Sequence, residues 1–415
     1  MTGRKSTRLA ATAAVATLVA AGCGSGAKSS TSNGGTAGGP TYTVGVLTDL
    51  TGPGSNTAGS FPVGVKAGIG VAAKAGYNIK YVVADTGTSP SGALTAAQRL
   101  VDQDHVFAVF MTSVVGFGAA SYLTSKGIPV VGAAVDGPEW ITSPNMFSVL
   151  GTQDYTKVES TWGDFWKQHG VTTLGSVGYS VEPSSAEVAK GYAASAQRVG
   201  IKVGYLNANF PLGSTNVTPI ALAMKAAGVD GLGTGILTNS TFAIIDDLRQ
   251  EGVNLKAALI PVGYGGDLAQ GGPGAQQSAQ GLYFLDGYEP IEMHTAATAR
   301  LQSAMQTYAG VSGDPTFSEY QGYTTVDAFT KGLKAAGRQP TQASFIKAML
   351  GITNYNAAGL YGSHSVSFAM KDRGLVSGAD NCVWITRYSG TTFHLVTGED
   401  PICGTTIPGL KVSAS

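Results

Sequence analysis

An α/β protein of two doubly wound lobes, each built on a parallel sheet, is the fold class this sequence predicts, on three observations. Apolar, β-favouring runs alternate with helical segments along almost the whole chain. Those runs are apolar throughout rather than alternating in polarity, as strands covered by helices on both faces must be. The alternation comes in two series, before and after about Tyr155, in a chain of 415 residues, which is enough for two domains of ordinary size.

In order, residues 42–48 form an apolar run broken by Thr51-Gly52-Pro53-Gly54, and a small-residue helix through Val63, Ala67, Val71 and Ala75 follows. The unit recurs: a strand over 79–83 leads into a helix over 91–104 with Leu94, Ala97 and Val101 on one face. A strand over 106–110 then leads into a helix over 116–126, and 129–131 is a fourth short strand. The second series opens with a helix over 158–169 carrying Trp162 and Trp166 at i, i+4. Strands are expected over 173–177, 201–206, 231–237, 257–260 and 282–285, with helices over 185–199, 219–227 and 241–251. The tail is mostly helical (299–308, 320–336, 343–350), and strands over 366–368 and 383–388 come last.

The N-terminus reads as an address. Arg4, Lys5 and Arg8 precede an uncharged run over 9–21, too short to span about 30 Å of hydrocarbon but long enough for the core of a secretory signal. It ends Leu18-Val19-Ala20-Ala21-Gly22-Cys23, which resembles a bacterial lipobox, with Ala20 a departure where a larger aliphatic is preferred. Residues 1–22 are expected to be removed and Cys23 to take the lipid; the plainer alternative is an ordinary secretion signal with a stray cysteine. Residues 23–41 are a Gly/Ser/Thr-rich flexible tether. Cleavage takes away Arg4, Lys5 and Arg8 and no acidic group, so the remaining body is weakly acidic and is held at the outer face of the membrane by its lipid. Cys382 and Cys403 are then an even pair in an exported chain and are expected to be bridged, two free buried thiols being the alternative. With 26 Lys+Arg against 26 Asp+Glu and no basic cluster after residue 8, nucleic acid is not an expected partner.

The order and wording of these segments resemble the substrate-binding proteins of bacterial ABC importers of the leucine/isoleucine/valine-binding type. The likeness rests on Val44-Gly45-Val46-Leu47-Thr48-Asp49-Leu50-Thr51-Gly52, on Asp85-Thr86-Gly87-Thr88-Ser89-Pro90, on Ala96-Ala97-Gln98-Arg99-Leu100-Val101 and on Gly127-Ile128-Pro129-Val130-Val131. It implies the type I periplasmic-binding-protein fold: two lobes, here 42–157 with 287–366 and 158–286 with 367–410, joined by three crossovers around a cleft that closes on a solute. Ligands of open α/β sheets independently belong beyond the carboxyl ends of the strands.

The resemblance also names the cleft residues. Thr51 stands in the loop after the first strand. Thr112 and Ser113 stand where the family's hydroxyl pair holds a ligand carboxylate, helped by the helix-start amide of Val114; a helix N-cap is the alternative role for the hydroxyls. The family's usual Ser-Ala-Thr run is replaced by Ala133-Ala134-Val135-Asp136, so a hydroxyl donor is lost and Asp136 suits a cation, an amide or a hydroxyl donor. Tyr155 lies where the chain crosses between lobes, Tyr179 and Thr238 follow strand ends, and Tyr264 stands in Val262-Gly263-Tyr264-Gly265-Gly266, where the amino-acid binders carry an acid; Asp267 is close by. The expected solute is therefore an amino acid, an amide or a small cyclic or aromatic compound. Delivery to ABC permease subunits by a monomeric receptor is implied, with ligand sensing through a separate membrane partner as the alternative.

Enzymatic readings find little support. The spaced glycines over 64–70 fall inside a helix rather than in a strand-to-helix turn and suit close helix packing. No Gly-x-Ser-x-Gly elbow occurs, and His105, His169, His294, His364 and His394 are dispersed without metal-ligand spacing. Neither catalysis nor a cofactor or metal is expected.

Overall fold

In the computed structural model, which describes residues 39–396, 398 and 400–414, the first strand β1 (Thr41–Thr48) is buried from Val44 to Thr48. The expected signal segment, Cys23 and the tether up to residue 38 lie outside the described residues. The chain continues through α1 (Ser55–Ala58), α2 (Phe61–Lys74), β2 (Asn78–Asp85), α3 (Pro90–Gln98), β3 (Ala108–Thr112), α4 (Phe117–Ser125), β4 (Val130–Gly132), α5 (Glu139–Thr142) and β5 (Met146–Ser148). The five strands are all parallel in the order β2-β1-β3-β4-β5. The central β3 is buried along its whole length, which is why its sequence is unbroken apolar.

The second lobe contains β6 (Lys157–Glu159), α6 (Ser160–Gln168), β7 (Thr173–Tyr179), α7 (Pro183–Arg198), β8 (Lys202–Phe210), α8 (Thr218–Ala226), β9 (Gly231–Gly235), α9 (Thr238–Gln250), β10 (Ala257–Ile260), α10 (Gly266–Gln270), α11 (Gly272–Ser278) and β11 (Tyr283–Asp286). Its parallel core has the order β8-β7-β9-β10-β11, the same winding as the first lobe. In each sheet the winding reverses once, between β1 and β3 and between β7 and β9, and a crevice opens there beyond the strand ends.

Three helices, α12 (Ala296–Ala304), α13 (Phe317–Ala336) and α14 (Gln342–Met349), return to the first lobe. Helix α13 opens with a capping box in which Glu319 N donates to Thr316 Oγ1 at 3.1 Å and Thr316 N to Glu319 Oε2 at 2.8 Å. Its Phe329 packs on Phe110 of β3 with ring centroids 5.1 Å apart. The spaced glycines of α2 serve this contact: a Cβ at Gly64 would stand 2.1 Å from the Glu319 carbonyl oxygen, and one at Gly322 would stand 2.4 Å from that of Phe61. The two backbones touch, as the helix-packing reading requires.

The chain then enters the second sheet again as β12 (Cys382–Ser389) and β13 (Thr392–Leu395), followed by β14 (Ile402–Cys403) and β15 (Thr406–Lys411). Three expectations are corrected here. The second sheet is mixed rather than parallel, because β12 runs antiparallel beside β11 and β13 antiparallel beside β12. The expected helix over 158–169 begins instead as strand β6, which pairs with β15 from the far end of the chain. Residues 366–368 make only an isolated bridge, Val366 with Tyr355. Cys382 and Cys403 are joined by a disulfide that ties β14 to β12.

Candidate functional site

Between the lobes lies a partly open, mainly apolar cleft, the setting typical of small-molecule sites. From the first lobe it is lined by Ala58 at the end of α1, by Thr112 and Val114 at the carboxyl end of β3, and by Val135 beyond that of β4. From the second it is lined by Tyr179, which ends β7, and by Glu182, Ile236 and Leu237, beyond the ends of β7 and β9. The two switch-point crevices therefore face one another and merge. Phe317 and Gln321 of α13 and the passages at Gly287 and 376–378 close the side.

The first lobe's rim is organised by two aspartates at strand ends. Asp49, fully buried, accepts hydrogen bonds from Ser113 Oγ at 2.6 Å, from Val114 N at 3.0 Å and from Thr86 Oγ1. Burial still pushes its carboxyl above the ordinary range, since removal from water outweighs these donors. Ser113 Oγ in turn accepts from Val115 N at 3.1 Å. Asp85 gathers the next loop, accepting from Leu50 N, Thr51 N and, at 2.6 Å, Thr51 Oγ1. The loop after β1 is thus shaped by its own chain's carboxylates.

Of the residues singled out in the sequence, Thr112, Val114, Tyr155 and Tyr179 line the cleft. Thr112 Oγ1 is buried and finds no hydrogen-bond partner among the described residues. Tyr179 is buried against Phe210, and its hydroxyl accepts from Leu237 N at 3.0 Å; burial raises its pKa above the usual phenol value. Tyr155 donates to Gln153 Oε1 beside Glu182 and Glu159, and burial is the main cause that raises its pKa.

The others do not line it. Thr51 is exposed and spent on Asp85, and Ser113 is occupied by Asp49, as is the Val114 amide that would help hold an anion. Ala134 is buried, with its N donating to Ser148 Oγ at 3.0 Å. Asp136 sits deeper, accepting from Phe117 N at 2.6 Å and Trp140 Nε1 at 2.9 Å, and burial together with the neighbouring Glu139 carboxyl holds its pKa well above the usual range. Thr238 is the first residue of α9 rather than a loop residue. Tyr264 points its hydroxyl to Glu292 Oε2 at 2.5 Å and packs on Phe393, while Asp267 of α10 accepts from Phe317 N, at the start of α13, at 3.2 Å, with burial raising its pKa to about 8.

The sequence reading missed three carboxyl groups that do line the cleft: Glu159, Glu182 and Glu187. Glu182 stands three residues past the end of β7, beside the Tyr179 already singled out, so that loop carried a usable signal. Burial and the nearby Asp136 and Asp49 carboxyls push it well above the ordinary value. Glu159 was hidden inside an expected helix; it accepts from Ser377 Oγ, its Oε1 has no partner among the described residues, and burial lifts its pKa to about 7. Gln321 comes from α13 and only tertiary packing brings it here. As for metals, His364 lies beside Cys382 and Cys403, but the disulfide consumes both thiols.

A two-lobed body with facing strand-end crevices merged into one cavity defines a ligand-binding protein. The chain belongs to the periplasmic binding protein family, whose model matches residues 41–392, a family of extracytoplasmic solute-binding proteins. Among the described residues no helix is long and apolar enough to cross a membrane.

Solved structures share the fold. A solute-binding protein of an ABC transporter from R. palustris, in complex with 4-hydroxybenzoate, is 17% identical with a TM-score of 0.69 and coverage of 88% of this chain and 97% of its own. A branched-chain amino acid ABC transporter protein from Thermus thermophilus with bound valine is 17% identical, with a TM-score of 0.71 and coverage of 88% and 97%. A leucine-binding protein from Thermotoga maritima is 16% identical, with a TM-score of 0.70 and coverage of 87% and 99%. No curated protein matches the sequence.

Proposed function

We propose that this protein is an extracytoplasmic, lipid-anchored receptor that captures a small organic solute by closing its lobes and delivers it to an ABC import permease. The observation that carries the reading is the interlobe cavity, lined from the strand ends of both sheets by residues that include Thr112, Gln321 and Glu159, each with a polar atom that has no partner among the described residues. A buried polar atom without a partner is costly, and a bound solute would satisfy it. Thr112, Val114, Tyr155 and Tyr179 are the proposed contacts among the residues read from sequence. Residues 42–157 with 287–366 would form one moving lobe and 158–286 with 367–410 the other, with the three passages between them as the hinge. Cys23 would carry the lipid and 23–41 the tether.

Thermal unfolding against branched-chain and aromatic amino acids, aromatic acids, amides and amines tests the reading. A solute at about 100 times its Kd stabilises by roughly 2.7 kcal/mol. A rise in midpoint, accompanied by a smaller radius of gyration in solution scattering, is the expected result. No rise with any class, and no compaction, would count against a solute receptor.

A further inference from the structure

We propose, resting on the solute-receptor reading above, that the cavity takes a protonated amine on an apolar body, with Glu182 and Glu159 as its counter-charges, and that it turns away solutes carrying a carboxylate. The charges on the lining are lopsided. Glu159, Glu182 and Glu187 stand against a single cation, Lys157, which is already committed: its Nζ donates to the Gly374 carbonyl at 2.6 Å and lies 3.3 Å from Asp154 Oδ2. No arginine lines the cavity among the described residues.

Two of the groups that could receive an anion on the first lobe are filled from within, while Thr112 Oγ1 has no partner among the described residues. Ser113 Oγ and the Val114 amide both donate to Asp49, so the chain's own carboxylate occupies the turn at the end of β3. A solute carboxylate arriving there would meet the buried Asp49 acid, which already takes the Ser113 and Val114 donors. Like charges at that distance disfavour one another strongly when water is excluded.

Two of the three unpartnered polar atoms that the described lining residues carry point the same way. Glu159 Oε1 and Gln321 Oε1 are acceptors, each on a side chain that is more than nine-tenths buried, and neither has a donor among the described residues. An ammonium group brings three donors and no acceptor, which suits a lining that offers carboxylates and unpartnered acceptor oxygens. Around them Tyr155, Trp162, Tyr192, Ile236, Leu237 and Phe317 supply an apolar wall whose aromatic faces tolerate a cation. Burial raises both glutamates, and a neighbouring cation offsets that desolvation and favours their ionised forms.

The test is isothermal titration and thermal unfolding of the full protein at neutral pH with phenethylamine, phenylalanine and phenylpropionate, which share one apolar body, and with putrescine, choline, valine and benzoate. At least one amine without a carboxylate should bind, its matched acid should not, and Glu182→Gln and Glu159→Gln should each weaken the amine by about tenfold or more. Both variants keep side-chain shape and remove a buried charge, so their unliganded midpoints should not fall. Binding of valine, phenylalanine, phenylpropionate or benzoate in preference to every amine would overturn the inference while leaving the receptor reading standing. Amine binding that survives both substitutions would overturn the assignment of the counter-charges, and failure of the amines alongside every other class would bring down both readings.

Discussion

Substituting Glu159 by Gln isolates the cost of burying one carboxylate at the cleft. Its folded-state pKa is about 7 against an ordinary 4.5, because burial penalises the charged form more than the Ser377 hydroxyl favours it. A raised folded pKa means that the native state holds the proton more tightly than the unfolded chain, so this group's contribution is fully present below about pH 4.5 and is lost as pH rises through about 7. A tenfold difference in proton affinity between the folded and unfolded chain is worth about 1.36 kcal/mol, so wild type forfeits about 3 kcal/mol over that window at this one site. The glutamine variant forfeits none of it. Every other raised carboxyl, among them Glu182, Asp136 and Asp286, is common to both proteins and cancels in the difference. At an entropy of unfolding near 2 cal/mol/K per residue, 3 kcal/mol corresponds to a midpoint difference of about 4 °C for a body of this size. Calorimetric midpoints of the unliganded proteins, taken from pH 4.5 to pH 8, should therefore diverge progressively, with the variant higher at the alkaline end. Parallel curves over the whole range would refute the reasoning that burial dominates this carboxyl.

Three further outcomes are expected. Gly64→Ala puts a methyl 2.1 Å from the Glu319 carbonyl and should destabilise by about 1–3 kcal/mol through forced separation of α2 from α13, read as a lowered midpoint; an unchanged midpoint would mean that the two backbones part freely. Tyr179→Phe leaves the buried Leu237 amide without its acceptor and should cost about 1–3 kcal/mol in denaturant unfolding, whereas a loss below a few tenths would show that the amide finds another partner. Replacing both Cys382 and Cys403 by Ser, which opens a link across a sequence separation of 21, should cost about 3 kcal/mol in the chain-entropy account, and wild type treated with reductant should match the variant.

Local patterning determined most of the architecture. Continuous apolar runs such as 42–48, and the helices between them, follow from short-range periodicity, and so does the prediction that a cleft lies beyond the strand ends. The pairing of Cys382 with Cys403 followed from count and compartment, and the glycines at 64 and 68 from their position inside a helix. Thr112, Val114, Tyr155 and Tyr179, which the resemblance named for the cleft, line it, whereas Ser113, Asp136, Thr238 and Tyr264, named on the same grounds, do not.

Tertiary structure decided what those rules cannot reach. Residues 157–159 are a strand because a partner more than two hundred residues away, β15, offers them backbone hydrogen bonds; helix propensity within the segment carries no record of it. For the same reason β12 runs antiparallel: which edge is free depends on the sheet already assembled. The site turned on the same distinction. A sequence shows that Ser113 and Val114 can offer donors, but only the folded backbone brings Asp49 within 3.0 Å to take them. The acidity of the cavity likewise arises from Glu159, Glu182 and Glu187, whose positions along the chain do not reveal that they share one wall, because burial and charge neighbourhood are properties of the assembled core and not of any segment within it.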